Sequence, residues 1–365
     1  MKVLIVAAAR PNFMKVAPVL RALEARGVEA VLVHTGQHYD EGLSAAFFAD
    51  LRLPEPDEHL GVGSGTHAQQ TARVLESIEP VLRARAPDLV VIVGDVNSTL
   101  AAALASAKLM IPVAHVEAGL RSFDRSMPEE INRVLTDQIS ELLFTTSPEA
   151  EENLIAERVA KEKIHFVGNT MIDSLETHLA RARDSSILTD LGLDAEKYAL
   201  VTLHRPSNVD EPRRLGALLR ALSSVGELVD VVFPVHPRTA AVVALNGLDA
   251  GSVRMIEPVG YVDFLRLMMD ARVVLTDSGG IQEETTVLGV PCLTIRENTE
   301  RPITVSMGTN TLVGTDPGAL EREARAAIAA PRPAAIRPPL WDGKAGERIA
   351  DVIVEWGRAR AGTPM

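Results

Sequence analysis

Cysteine is almost missing from this chain: its 365 residues include one, Cys292. A single thiol excludes an intrachain disulfide framework and any cysteine cluster around a metal, and it fits a reducing, cytoplasmic setting. Also missing is any apolar run near the ~20 residues that a bilayer span requires. The apolar opening segment, residues 3–8, is cut off at once by Arg10-Pro11 and reads as a buried first strand rather than a signal peptide. Basic residues are in deficit. Lys and Arg number 37 against 49 Asp and Glu, a formal net charge of −12 with histidine neutral. That balance argues against a protein that coats nucleic acid or an anionic membrane. An anionic small molecule stays open, because one basic cleft can sit in an acidic surface. The sequence shows no internal repeat, no heptad run and no low-complexity linker.

What is present is an alternation. Residues 3–8, 30–34, 89–93, 113–116 and 142–145 are apolar runs, and helix-type spacing fills 17–26, 66–83, 99–108 and 130–140 between them. Strands apolar on both faces belong in a parallel sheet covered by helices. The pattern restarts at 198–203, 231–235, 253–256, 273–277 and 292–295. Two successive open sheets predict an α/β protein of two doubly wound domains facing an interdomain cleft. The break is expected near residue 168, after a further strand over 164–167, giving domains 1–168 and 169–340. A final helix, over about 345–358, follows the Pro-rich stretch 331–339 and lies in a C-terminal segment 341–365.

In such sheets ligands collect at the carboxyl ends of the strands, where helix N-termini point. Arg10 and Lys15 follow the first strand there, suited to phosphate, or simply surface residues at a helix start. The loop is not a G-x-G-x-x-G fingerprint, which removes support for a nicotinamide cofactor. Gly61-Val62-Gly63-Ser64-Gly65 follows a polar loop instead of a strand and reads as a connection. Asp95 ends the run 89–93, Glu117 ends 113–116, and Glu129 stands in Pro128-Glu129-Glu130 at a helix start. Three carboxylates on one edge shift one another's pKa and divide acid and base roles. A plainer account makes Asp95 a helix cap and the glutamates first-turn acids that favour the helix dipole.

In the second half, His204 and His236 both end strands, a place suited to chemistry, although a hydrogen-bonded structural histidine fits as well. The strongest local signal is Asp277-Ser278-Gly279-Gly280-Ile281-Gln282-Glu283-Glu284, between a strand and a helix that stops at Gly289. Glycines at a helix N-terminus let the main chain approach a phosphate closely. Ser278, Gly279 and Gly280 are thus candidates for a diphosphate, and Glu284, one turn on, for a ribose diol. Arg296 and Arg301 follow the next strand and add positive charge.

Taken in order from Met1 to about Gly314, these motifs closely resemble the non-hydrolysing UDP-N-acetylglucosamine 2-epimerases. The match includes Arg10-Pro11 with Lys15, Gly94-Asp95, His115-Val116-Glu117-Ala118-Gly119-Leu120-Arg121, Pro128-Glu129-Glu130, His204-Arg205, Pro234-Val235-His236-Pro237 and Glu300-Arg301-Pro302. The resemblance implies two Rossmann-like domains of GT-B type, a last helix crossing back onto the first domain, and a homodimer. It implies interconversion of UDP-N-acetylglucosamine and UDP-N-acetylmannosamine with neither metal nor cofactor, and surface polysaccharide precursors are the usual destination of such sugars. The C2 proton is not acidic, so UDP leaves first, a 2-acetamidoglucal forms, and UDP adds back. Asp95, Glu117 and Glu129 would be the acid/base set, with His204 at the departing phosphate, helped by Arg10 and Lys15. Ser278, Gly279, Gly280 and Arg301 would hold the diphosphate, Glu284 the ribose, Phe264 the uracil, and His236 a further part of the substrate. Gln37, His38 and Arg205 would belong to a second, activating site. Three departures from the family pattern bear on that second site and on the sugar substituents: Tyr39-Asp40-Glu41-Gly42 after His38, Ser207 where many relatives have Glu, and Asn12 where many have Glu. The alternatives are a 2-epimerase of a modified UDP-sugar of diacetamido uronic acid type, and a GT-B glycosyltransferase.

Overall fold

The apolar runs become parallel strands buried on both faces. A computed structural model describes residues 1–8, 10–36 and 48–361, with the main chain alone at Arg10 and Pro11. The chain divides into two compact units, residues 1–177 with 339–365, and residues 178–338. In the first, β1 (Lys2–Ala7), β2 (Glu29–His34), β3 (Glu58–His59), β4 (Leu89–Val93), β5 (Val113–Ala118), β6 (Leu142–Thr145) and β7 (Ile164–Phe166) form one sheet. Its order is β3-β2-β1-β4-β5-β6-β7, with every neighbouring pair parallel. The connections are α1 (Arg10–Glu24), α2 (His67–Arg85), α3 (Asn97–Lys108), α4 (Pro128–Ile139) and α5 (Pro148–Ala156), and α6 (Thr170–Arg183) follows β7, with its residues from His178 onward belonging to the second unit. Local chemistry sets their starts. Thr66 and Gln69 make a reciprocal capping box at α2, and Pro128, lacking an N–H, opens α4 with Glu129 and Glu130 in its first turn.

The second unit repeats the plan with β8 (Tyr198–Thr202), β9 (Asp230–Pro234), β10 (Val253–Ile256), β11 (Val273–Thr276), β12 (Cys292–Thr294) and β13 (Asn310–Leu312). The order is β10-β9-β8-β11-β12-β13, again all parallel. Its longer helices are α7 (Pro212–Val225), α8 (Pro237–Leu245), α9 (Tyr261–Met269), α10 (Gly279–Leu288) and α11 (Pro317–Ala329). Both sheets are therefore doubly wound. Strands β3 and β13 were not expected from the sequence. They are edge strands of two and three residues that contain Glu58-His59 and Asn310-Thr311, too short and too polar to register as apolar runs. Among the described residues, no helix is long and apolar enough to cross a membrane.

The last helix, α12 (Ala345–Ala361), belongs to the first unit and packs along α1. The approach is close. A Cβ added to Gly346 would lie 2.8 Å from the Pro18 carbonyl, so only glycine fits there. The orphan N–H groups at the start of α12 are satisfied by α6: the Asp173 carboxylate accepts from Ala345 N at 3.0 Å and Gly346 N at 2.7 Å. Just before it, Trp341 is fully buried and donates its indole N–H to the Thr146 carbonyl at 2.8 Å. Trp341→Ala should destabilise the first unit by about 3–5 kcal/mol, the usual loss for a buried aromatic. Urea denaturation followed by the fluorescence of Trp356, on α12, should show the lower midpoint; an unchanged midpoint would mean that the Trp341 anchor is dispensable.

Candidate active site

In the first sheet the winding reverses between β1 and β4, and in the second between β8 and β11. At such a switch point the loops after the two strands diverge to opposite faces and leave a crevice at their carboxyl ends. Most of the sequence candidates follow these four strands or their immediate neighbours.

In the first unit, Asn12 joins the ends of β1 and β4. Its Oδ1 accepts from Ala8 N and its Nδ2 donates to the Val93 carbonyl, each at 3.3 Å. Lys15, one turn further along α1, is buried and forms an ion pair with Glu117, which is buried too. Gly94 turns beneath them with φ +67°, and a Cβ there would stand 3.2 Å from both Asn12 Nδ2 and Lys15 Nζ. Glu117 has an unusual backbone. In the β5–β6 ladder Val116 pairs with Phe144 and Ala118 with Thr145, so Glu117 is an extra, bulged residue, and its φ is +72°. A bulge re-aims a side chain, and a left-handed non-glycine residue costs of order 1–3 kcal/mol that the surroundings must offset.

A buried polar network does so. His115 Nδ1 meets Asp137 Oδ1 at 2.7 Å, and Nε2 meets the Gly94 carbonyl at 2.8 Å. Asp137 Oδ2 also takes the Gly119 N–H at 3.1 Å and the Arg121 guanidinium at 2.7 Å. Arg121 pairs in turn with Glu157 at 2.7 Å. Burial alone would raise the Asp137 pKa, but the His115 hydrogen bond and charge and the Arg121 charge outweigh it and hold the carboxyl below its ordinary range. Residues on either side of Glu117 are thus tied to one ionised carboxylate on α4.

The N-cap position of α3 falls to Val96, which makes no side-chain capping bond, and Asp95 stands one residue before it. Asp95 receives Arg133 Nη2 at 2.5 Å, and its carbonyl receives Asn132 Nδ2 at 2.8 Å. The two neighbouring glutamates differ. Glu130 is buried, pairs with Arg133 at 2.8 Å and accepts from Ser122 N and Phe123 N at 2.9 Å, so it holds the loop before α4. Glu129 is half-buried and makes no hydrogen bond or ion pair among the described residues. The structure therefore joins Lys15 to Glu117 directly, and Arg133 ties Asp95 to the first turn of α4 that carries Glu129.

In the second unit Asp277, at the end of β11, is the buried hub. It accepts from the main-chain N–H groups of His204 at 3.1 Å and Arg205 at 3.0 Å, and from Asn208 Nδ2 at 3.1 Å. Burial works against its charge, but the His204 imidazole and these hydrogen bonds prevail and depress its pKa. His204 Nδ1 lies 2.8 Å from this carboxylate, with the side chain 60% exposed. The nitrogen facing an ionised acceptor must donate, which leaves Nε2 as the outward atom for chemistry. Arg205 is held to the same cluster, its Nε 3.4 Å from the Asp277 carbonyl and Nη2 4.0 Å from Glu300.

Ser278 is the N-cap of α10 and spends no side-chain bond on capping. The first N–H groups of the helix, at Gly279 and Gly280, have no acceptor within it. Behind this turn lie alternating charges: Arg296 pairs with Glu300 at 2.6 Å, and Arg301 pairs with Glu300 and, at 3.0 Å, with Glu283. A Cβ on Gly279 would lie within 3.0 Å of the Arg301 guanidinium and of Glu300 Oε1, so a larger residue there would push these two side chains aside. Arg296 and Arg301 are thus charge-matched beneath the turn. Glu284 is buried one turn into α10, accepts from the Tyr261 hydroxyl at 2.9 Å, and is pushed up to about 8 by burial, against the Tyr261 bond and with the Glu283 charge adding. His236, exposed, is the N-cap of α8, and Phe264 is half-buried on α9, one turn after Tyr261.

Three candidates escape description: Gln37 and His38 lie outside the described residues, as does the side chain of Arg10. Conversely, Asn12, Arg133, Asp137 and Tyr261 had no assigned role. Arg133 was legible in principle, since it stands three residues after Glu130 on a helix, where opposite charges meet. Asp137 and Tyr261 gave no such local signal, because their partners come from other elements.

Comparison with known proteins identifies the family of the chain. Residues 21–354 match the family model described as UDP-N-acetylglucosamine 2-epimerase. The UDP-N-acetylglucosamine 2-epimerase of Methanocaldococcus jannaschii is 44% identical over 97% of this chain and 99% of its own. A UDP-2,3-diacetamido-2,3-dideoxy-D-glucuronate 2-epimerase of Pseudomonas aeruginosa is 43% identical over 90% of this chain and 92% of its own. The crystal structure of the M. jannaschii UDP-GlcNAc 2-epimerase in complex with UDP-GlcNAc and UDP aligns with a TM-score of 0.91 at 43% identity, covering 97% of this chain and 100% of that one. The glycosyltransferase SnogD of Streptomyces nogalater, at 17% identity and a TM-score of 0.52, shares the fold alone, of GT-B type. The chain belongs to the UDP-N-acetylglucosamine 2-epimerase family.

Proposed function

We propose that this chain reversibly inverts C2 of UDP-N-acetylglucosamine to give UDP-N-acetylmannosamine, by elimination and re-addition of UDP. The observation that carries the reading is the bulged, buried Glu117 paired with Lys15 at the β1/β4 switch point, with Asp95 held next to Gly94. A strained carboxylate held by an ion network suits proton transfer at a carbon, which needs a placed base more than a mobile one. The C1–O bond breaks first and its electron pair leaves with UDP. The oxocarbenium-like sugar then loses its C2 proton to a carboxylate of the set Asp95, Glu117 and Glu129, giving a 2-acetamidoglucal. UDP adds back at C1 as a proton arrives at C2 from the other face.

The second unit provides the leaving-group side of this chemistry. His204 offers Nε2 to the departing phosphate, with Asp277 orienting the ring. Ser278, Gly279 and Gly280 present the start of α10 to the diphosphate, with Arg301 adding charge from beneath, and Glu284 takes the ribose diol. His236 and Phe264 complete the contacts, Phe264 against the uracil. In the first unit Lys15 balances Glu117 until substrate charge replaces it, and Arg10 adds to the phosphate field.

A second reading has one specific support, the 43% identity to the P. aeruginosa diacetamido-glucuronate enzyme. Under this reading the chain would use the same proposed elimination on a sugar that differs in the groups at C3 and C6. A panel of the two UDP-sugars decides between them: turnover of the diacetamido uronate far above that of UDP-N-acetylglucosamine would select the second.

Incubation with UDP-N-acetylglucosamine in deuterated water should place deuterium at C2 of both epimers. No exchange and no manno product would exclude the first substrate. Glu117→Gln, which keeps shape and removes the base, should lower the exchange rate by about 10²–10⁴. Asp137→Asn touches no substrate but loosens the ties on both sides of Glu117. A misplacement of about 1 Å costs on the order of 10²-fold, so kcat should fall by about that factor while UDP affinity, carried by the other unit, stays as in the wild type. Equal losses in kcat and UDP affinity would argue for general unfolding instead.

A further inference from the structure

One buried hydroxyl is aimed at a group that the proposed reaction uses. Tyr261, the first residue of α9, is 2% exposed, and its hydroxyl donates to Glu284 Oε1 at 2.9 Å. The edge of buried His178, on α6, meets the Tyr261 ring with centroids 5.6 Å apart. The ring is therefore wedged, and the phenol has little freedom to turn away from the carboxylate. Glu284 is itself 2% exposed, so its direction is set by the protein and not by water.

We propose that Tyr261 is a positioning residue for nucleoside recognition, fixing Oε1 of Glu284 so that Oε2 is presented to both hydroxyls of the ribose. This rests on the reading of Glu284 as the ribose acceptor. A single carboxylate oxygen has two lone pairs, enough for a vicinal diol, provided the other oxygen is satisfied elsewhere. Without a donor on Oε1, a buried carboxylate would rotate or stay protonated, and a protonated carboxyl offers one donor where the diol needs two acceptors.

Proton release should accompany this recognition. The groups facing Glu284 are Tyr261 on α9, Glu283 on its own helix, and His178 behind the tyrosine ring, while Arg301 is turned to Glu283. Among the described residues none is a cation paired to Glu284, which accords with a carboxyl pushed up to about 8, chiefly by burial. Binding of a diol to the ionised form therefore expels a proton, and the preference for a ribose over a 2′-deoxyribose should grow as pH rises through about 8.

The test is calorimetric titration of the full chain with UDP and with 2′-deoxy-UDP between pH 6.5 and 9, in buffers of different ionisation enthalpy. The two ligands share the same diphosphate titration, so their difference isolates the ribose contact. The wild type should bind UDP about tenfold more tightly than 2′-deoxy-UDP, as a hydrogen bond to a charged group predicts. Tyr261→Phe, which keeps the ring, should lose most of that discrimination, and its pH rise should move upward because the ionised carboxyl has lost a donor. Glu284→Gln should abolish both the discrimination and its pH dependence. Tyr261→Phe with wild-type discrimination and an unmoved pH profile would overturn the proposal. So would equal binding of the two nucleotides by the wild type, a result that leaves the C2-exchange test of the epimerase reading untouched.

Discussion

Asp137 is the group on which the candidate catalytic edge of the first unit hangs. A carboxylate removed from water is costly unless charge and hydrogen bonds surround it. Here the compensation comes from His115, Arg121 and the Gly119 N–H, which bracket Glu117. Satisfying Asp137 therefore determines the path of the chain through residues 115–121. That path includes the bulge and the left-handed residue that turn Glu117 toward Lys15. The energetic need of one buried charge and the placement of one candidate base have the same solution.

The second sheet uses the same device with other residues. Asp277 is buried at the end of β11, and its acceptors are filled by the main chain at His204 and Arg205 and by Asn208. The outcome again is a side chain held at a strand end, here His204 with Nε2 outward. In both units the oriented group is at a switch point, where the divergence of two loops leaves room for a ligand. The net charge of −12 says little about this. At the α10 turn, Arg296 and Arg301 pair with Glu300, Arg301 pairs also with Glu283, and Arg205 lies 4.0 Å from Glu300, so the arginine charge is largely offset by carboxylates and the helix N-terminus adds its own partial charge.

Much of this was legible in order of residues. Uninterrupted apolar runs marked parallel strands, because no solvent-facing side of such a strand exists to demand polar residues. The Ser278-Gly279-Gly280 turn before a helix marked a candidate anion site, through the close main-chain approach that small residues permit. Glu129 and Glu130 show where reading stops. They are adjacent and chemically alike, yet Glu130 is committed to Ser122, Phe123 and Arg133, and Glu129 is not. Which of the two faces the loop depends on the rotation of α4, set by packing. The edge strands β3 and β13 escaped for a related reason: they are strands by virtue of a neighbour's hydrogen bonds, not by their own composition.

By itself, then, the sequence determined the α/β class, two doubly wound halves, and the strand ends at which Lys15, Asp95, Glu117, His204 and Ser278 stand. Those are consequences of local pattern: burial on both faces, helix starts, and glycine where the chain turns. Only the tertiary structure decided that Glu117 bulges toward Lys15, that Asp95 pairs with Arg133, and that Tyr261 meets Glu284. These depend on side chains from separate elements arriving within hydrogen-bond reach. Such contacts are enforced by the cost of leaving buried charge unpaired, and no spacing along the chain encodes them.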